Sequence, residues 1–192
     1  MPESLGGSWY FVTLQEDKTG LLMATPMKAR SMVSVIIKSR VTLLETLTGL
    51  KVRRIWHDGA QEYFTDELNS WFDIKGITSE ETAPYASQQS GKVERVNRTL
   101  LVRVRAALSD AGAGDDLWAE VLAAVVYVLN RSPTPGVDVT PLEAFTGRRP
   151  NVAGFRVWES REWALRPSHQ QRKLQPRTSV GLLVGHTVGG KA

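Results

Sequence analysis

The sequence predicts an α/β fold in which helices pack on a small mixed sheet. Three observations lead there. Two β-rich runs joined by a polar turn open the chain, apolar residues then recur at three- and four-residue spacing, and a third β-rich run precedes a mostly helical remainder.

In chain order, "WYFVTL" (9 to 14) and "GLLMATPM" (20 to 27) flank the turn "QEDKTG" and predict a hairpin. Met32, Val33, Ile36, Ile37, Val41, Leu44 and Leu47 predict an amphipathic helix over 31 to 48, closed by Gly49. "LKVRRIW" (50 to 56) reads as a third strand ending at His57 and Asp58. A short helix near 64 to 74, a strand at 76 to 82 and a loop over 83 to 91 come next. Val93, Val96, Leu100, Val104 and Ala107 then mark one face of a long helix. Glu94 falls in its predicted first turn, where the helix dipole favours a carboxylate. A further helix, Asp116 to Asn130, is capped by Asp115 or Asp116. "TPLE" (140 to 143) is a capping box with Pro141 at the first helical position, and Gly147 closes that helix. There is no internal repeat or low-complexity segment.

At 192 residues the chain suits one domain, or one domain with a small appendage. Its 42% hydrophobic and 23% charged residues are ordinary for a soluble globular protein. With no cysteine there is no disulfide framework and no thiolate metal site, and a reducing compartment is expected. The longest apolar run, Val121 to Leu129, is too short to span a membrane. The N-terminus lacks the order of a signal peptide. An intracellular protein of nucleus or cytoplasm, without a membrane partner, is the expectation.

The net charge of +4 is unevenly spread. Residues 148 to 192 hold nine Lys/Arg against two Glu, whereas residues 57 to 91 hold seven acids and one Lys. Residues 92 to 105 then carry five cations with Glu94 as the one acid. Such neighbouring regions are either solvated faces or the means to hold cations beside a polyanion. Asp58 at a strand's carboxyl end and Glu94 near a helix start, with 35 residues between them, can converge. Their hard oxygens suit Mg²⁺ or Mn²⁺, ions that hold phosphate oxygens and help a water or hydroxyl attack phosphorus.

Two stretches carry a family resemblance. "HDGAQEY" resembles Ser-Asp-Asn-Gly-Gly-Glu-Tyr, and "TAPYASQQSGKVERVNRTL" resembles Thr-Pro-Tyr-Thr-Pro-Gln-Gln-Asn-Gly-x-x-Glu-Arg-x-Asn-Arg-Thr. Both patterns belong to the integrase catalytic core of copia-type LTR retrotransposons, in the retroviral integrase superfamily. There an Asp, a second Asp, 35 residues and a Glu form the metal-binding triad. "YFVTLQEDKTG", "LWAEVLAAVVYVLNRSP", "TPLEAFTGRRP", "FRVWES" and "RKLQPRTSVGLLVGH" resemble further parts of the family in the same order. The resemblance implies a ribonuclease H-like fold over residues 1 to 150 and a basic post-core segment over 151 to 192. It implies Asp58 and Glu94 as catalytic and metal-binding carboxylates for Mg²⁺ or Mn²⁺. Lys92, Arg95 and Arg98 would meet phosphates of element ends and target duplex, and Gln88, Gln89 and Asn97 either touch DNA or make surface hydrogen bonds. A homo-oligomer is also implied. Independently of any family, Glu94, Arg98 and Arg105 fall on one side of the helix, away from its apolar stripe.

The sequence also departs from the pattern. "MPESLGGSWYFVT" resembles the family stretch just after the first Asp and its Gly-Pro pair, so the first strand and its carboxylate are expected to be lacking. Asp17 is read as a turn residue and His57 as a flanking residue facing away from Asp58. Gly59, Ala60 and Gln61 replace Asn-Gly-Gly beside Asp58. The chain as written is therefore expected to bind nucleic acid without efficient catalysis. It is either an integrase core related to metal-dependent strand transfer or a non-catalytic DNA-binding or protein-interaction relic. Trp158, Trp163 and "VGLLVG" suggest short strands displaying Arg161, Arg166, Arg172, Lys173 and Arg177, or else a solubilising extension. The six tryptophans are read as core anchors rather than stacking platforms.

Overall fold

The computed structural model describes residues 1–57, 65–81, 87–133 and 138–185. Strands β1 (Tyr10–Gln15) and β2 (Leu22–Met27) pair antiparallel, with Tyr10 opposite Met27 and Gln15 opposite Leu22. The turn between them contains Asp17, as expected. The Glu16 carboxylate closes it by accepting from the backbone N–H groups of Lys18 (3.1 Å) and Thr19 (2.6 Å). Alternation along the hairpin gives it two apolar faces. Val12, Leu14 and Met27 pack on one side against Ile36, Ile37, Val41 and Phe72. Phe11, Leu22 and Ala24 pack on the other against Leu100, Val104 and Trp118. The hairpin is thus an inner layer between two helical ones, which explains why its strands read as continuous apolar runs. Pro26 has no N–H to give a ladder and sits in β2, which pairs with β1 alone among the described strands.

One helical layer holds α1 (Val33–Thr48), preceded by a 3-10 turn at Arg30–Met32. Gly49 ends it with φ 69°, a left-handed conformation that glycine adopts without a Cβ penalty. The chain then enters β3 (Arg54–His57), α2 (Asp66–Lys75) and β4 (Thr78–Glu81). Strands β3 and β4 are parallel, with His57 opposite Glu81. The other helical layer holds α3 (Ser87–Ala111) and α4 (Trp118–Leu129). Asn130 fixes α4 to the sheet: its side chain accepts from the Leu22 N–H (2.9 Å) and donates to the Leu22 carbonyl (2.7 Å). Helix α5 (Pro141–Thr146) begins at Thr140, whose hydroxyl accepts from the Glu143 N–H, and ends at Gly147, as its sequence predicts. A second antiparallel hairpin, β5 (Arg161–Leu165) with β6 (Thr178–Leu182), completes the described elements.

Three expectations change. Strand β3 is shorter than the run 50 to 56, because Leu50 to Arg53 form no ladder of their own. Neither Asp115 nor Asp116 caps α4; both lie in a 3-10 turn, Asp115–Leu117, so that Leu117 precedes the α-helix and no side-chain cap forms. Helix α3 starts at Ser87, inside the predicted loop. The apolar period begins only at Val93, and one glycine, Gly91, costs about 1 kcal/mol without ending a helix. Glu94 is consequently the eighth helical residue and not a first-turn residue, so the helix dipole no longer accounts for it.

The mixed sheet is present as small separate ladders: antiparallel β1–β2 and parallel β3–β4. Val12 and Leu14 of β1 and Ile55 of β3 nevertheless pack against the same α1 cluster, yet no described strand bonds β1 to β3. No helix among the described residues is long and apolar enough to cross a membrane.

Candidate nucleic-acid interface and metal carboxylates

Helix α3 sorts its side chains by angle. Leu100, Val104 and Leu108 are buried against Trp118, Val121 and Leu122. At 100° per residue, Glu94, Arg98 and Arg105 cluster to one side of that stripe and Arg95 lies opposite it, and all four are exposed, together with Arg103. Arg103 escaped the reading of the sequence as a candidate, although its place in the same basic run was the available signal.

Glu94 and Arg98 form an i, i+4 ion pair, Oε1 to Nη2 2.9 Å, with both side chains about 70% exposed. Such a pair contributes only about 0.3–0.5 kcal/mol, so solvent or a phosphate can replace either partner. Asn97 is half-buried and accepts from the Thr13 hydroxyl at 2.9 Å. That bond ties α3 to β1 and sets the helix's rotation, a positioning part that no sequence pattern signalled. Gln88, Gln89 and Lys92 have helical backbones, but their side chains lie outside the described residues.

The expected metal carboxylates are approached from two elements. Strand β3 ends at His57, the residue before Asp58, while Asp58 itself, with Gly59, Ala60 and Gln61, lies outside the described residues. His57, Asn69, Asp73, Thr78, Ser79 and Glu81 line an open groove of about 900 Å³ at that end of β3. Among the described residues there is no group of three or more His, Asp or Glu side chains placed to hold a metal ion. The one donor described, Glu94, offers hard carboxylate oxygens of the kind Mg²⁺ and Mn²⁺ take, and its exposure leaves them accessible.

The direction of β3 is set from below. Glu45, on α1, is buried to 8% side-chain exposure and accepts from Lys75 Nζ (3.2 Å), Lys51 Nζ (3.3 Å) and the Val52 N–H (3.2 Å). Burial alone would raise its carboxyl, but the bonds from Lys75, Lys51 and Val52 outweigh that and hold it below the ordinary value. One carboxylate thus joins α1, the approach to β3 and the end of α2.

A hairpin flanked by helices on both faces, with a parallel strand pair and a long amphipathic helix after it, is a mixed α/β core, and solved structures similar to it give it the ribonuclease H-like fold of retroviral integrase cores. The chain has a TM-score of 0.53 to the crystal structure of the BIV integrase catalytic core domain, at 22% identity over 71% of this chain and 85% of that one. Against a chain of the simian T-cell lymphotropic virus intasome, seen by cryoEM in complex with PP2A regulatory subunit B56 gamma, the TM-score is 0.58. That likeness covers 92% of this chain and 62% of the other at 18% identity, and such identities speak to the fold.

In sequence, the chain is 30% identical over 185 residues, 96% of its length, to the retrovirus-related Pol polyprotein from transposon TNT 1-94 of Nicotiana tabacum. It spans 14% of the length of that relative. No protein-family model matches the chain. In sequence the chain is related to the Pol polyproteins of copia-type retrotransposons, and in fold it is similar to retroviral integrase catalytic cores.

Proposed function

We propose that the chain is the nucleic-acid-binding part of a retrotransposon integrase, with residues 1 to 150 forming the core and 151 to 192 a basic segment appended to it. The observation that carries this reading is α3: one side locks into the core through Leu100, Val104 and Leu108, and the other presents Arg95, Arg98, Arg103 and Arg105 to solvent. An exposed row of guanidinium groups on a helix anchored by its opposite face suits the phosphates of a DNA duplex, bound with little dependence on base sequence. Lys92 and Gln88 belong to the same helix and are assigned to this surface. Asn97 acts by holding the helix to β1, and its DNA contact is secondary.

Asp58 and Glu94 would hold Mg²⁺ or Mn²⁺ beside that DNA, and the ion would supply charge stabilisation and water activation for phosphodiester cleavage and strand transfer. The chain's own residues do the rest. Arg95 and Arg98 position the backbone, and the weak Glu94–Arg98 pair opens so that each group takes its ligand. Element ends and target duplex are the DNA partners, a second copy of the chain a further one, and the nucleus or cytoplasm the place of action.

Binding of Mn²⁺ measured by electron paramagnetic resonance tests the carboxylates without relying on turnover. Asp58→Asn and Glu94→Gln should each abolish the bound-ion signal while the fold, monitored by circular dichroism, is kept. A signal that survives both changes would remove these residues from the metal site.

A further inference from the structure

The C-terminal hairpin is turned the unexpected way round. Residues paired across an antiparallel ladder share a face, so Trp163 with Val180, Arg161 with Leu182 and Leu165 with Thr178 form one side of β5–β6. On that side Trp163 is 65% exposed, Leu165 70%, Val180 62% and Leu182 53%. The half-buried members, Glu162 and Ser179, belong to the opposite, polar side. The base of the hairpin is held by the Glu159 N–H to the Leu183 carbonyl (2.8 Å) and the Leu183 N–H to the Ser160 carbonyl (3.0 Å). An aromatic and aliphatic strip therefore faces solvent, although the sequence reads tryptophans as core anchors. That expectation fails for Trp163, and also for Trp9 and Trp56, which are 43% and 39% exposed. It holds for Trp118, at 1%.

Charge identifies what the strip fits. Residues 151 to 185 hold six Lys/Arg against two Glu. Arg161 stands on the apolar face itself, while exposed Arg172, Lys173 and Arg177 lie in the loop that joins the strands. An acidic protein would satisfy the cations but would leave an exposed indole without a flat partner. A polynucleotide strand with unpaired bases satisfies both features, because bases stack on an aromatic face whatever their identity while phosphates meet the flanking guanidinium groups. A duplex, whose bases are already stacked, satisfies only the second. We propose that the β5–β6 face is a single-strand nucleic-acid platform on which a base stacks against Trp163, separate from the duplex-binding side of α3.

The test uses the full chain, a fluorescein-labelled oligothymidylate of about 15 nucleotides and a labelled duplex of the same length, with fluorescence anisotropy as the readout. Trp163→Ala should weaken oligothymidylate binding by about tenfold or more. Trp163→Phe, which keeps a ring, should recover most of it, and duplex affinity should change less than about twofold with either. Because Trp163 is exposed, both variants should melt with the parent. Arg95→Ala with Arg98→Ala should do the reverse, lowering duplex binding and sparing the single strand, so that failure of the α3 reading and of this one are told apart. Unchanged single-strand affinity in Trp163→Ala, or equal loss for both probes, overturns the proposal. So does a self-associated parent that Trp163→Ala converts to monomer in sedimentation equilibrium, since the strip would then be covered by a second copy.

Discussion

Glu94 illustrates how much a single side chain's neighbours decide. Its pair with Arg98 is short at 2.9 Å but solvated on both sides, so it contributes little to stability. Its consequence is for binding, since the carboxylate neutralises one of the cations assigned to phosphate. Glu94→Gln should therefore tighten duplex DNA binding in the absence of divalent metal, by a few-fold, and lower the melting temperature by no more than about a degree. Isothermal titration in chelator checks the first part and a thermal melt the second. Glu45 is the contrary case, a buried carboxylate under two lysines and a backbone N–H. Its folded-state value is lowered, so its contribution is complete above the unfolded value and is lost as the pH falls through the folded one. Glu45→Gln should lower the melting temperature by several degrees at neutral pH. The gap to the parent should close as melts are taken below the ordinary carboxylate range; a gap that persists in acid would mean the loss is steric.

At the scale of elements, α3 is the piece whose packing and exposure must be kept apart. Leu100 has no exposed surface, whereas Val102, two residues along the helix, is 51% exposed. Leu100→Ala should cost about 3–5 kcal/mol in urea unfolding, and Val102→Ala less than about 1. Equal costs would mean that the helix is rotated from this placement. The apolar face of α3 was legible in the sequence because four-residue spacing is a local signal. Its start was not, since Ser87 to Gly91 carry no apolar period. Hairpin β1–β2, α1 with Gly49, and α5 with Thr140 and Gly147 were legible for the same local reasons. The 3-10 entry to α4 was not, because Asp115 and Asp116 suit a cap or a first turn equally well.

Across the molecule, long-range placement is what local patterns leave open. Alternation assigns Trp163 and Val180 to one face, but only tertiary packing decides that this face looks outward. Spacing likewise cannot reveal that Thr13 holds Asn97, or that Asn130 grips both backbone groups of Leu22. Of the candidate site, the basic side of α3 was readable as a charge run and its described arginines are found exposed, while the proposed metal pair joins Glu94 to Asp58, which lies outside the described residues. The central claim is that α3 lies along DNA, and the salt dependence of duplex affinity tests it most directly. If α3 and the basic C-terminal segment neutralise about five phosphates, log affinity against log salt has a slope of roughly −4.5. Arg95→Ala combined with Arg98→Ala should flatten that slope by up to about two units at an unchanged melting temperature. A slope that stays the same while the melting temperature falls would contradict the account, because the two arginines would then serve the fold and not the DNA.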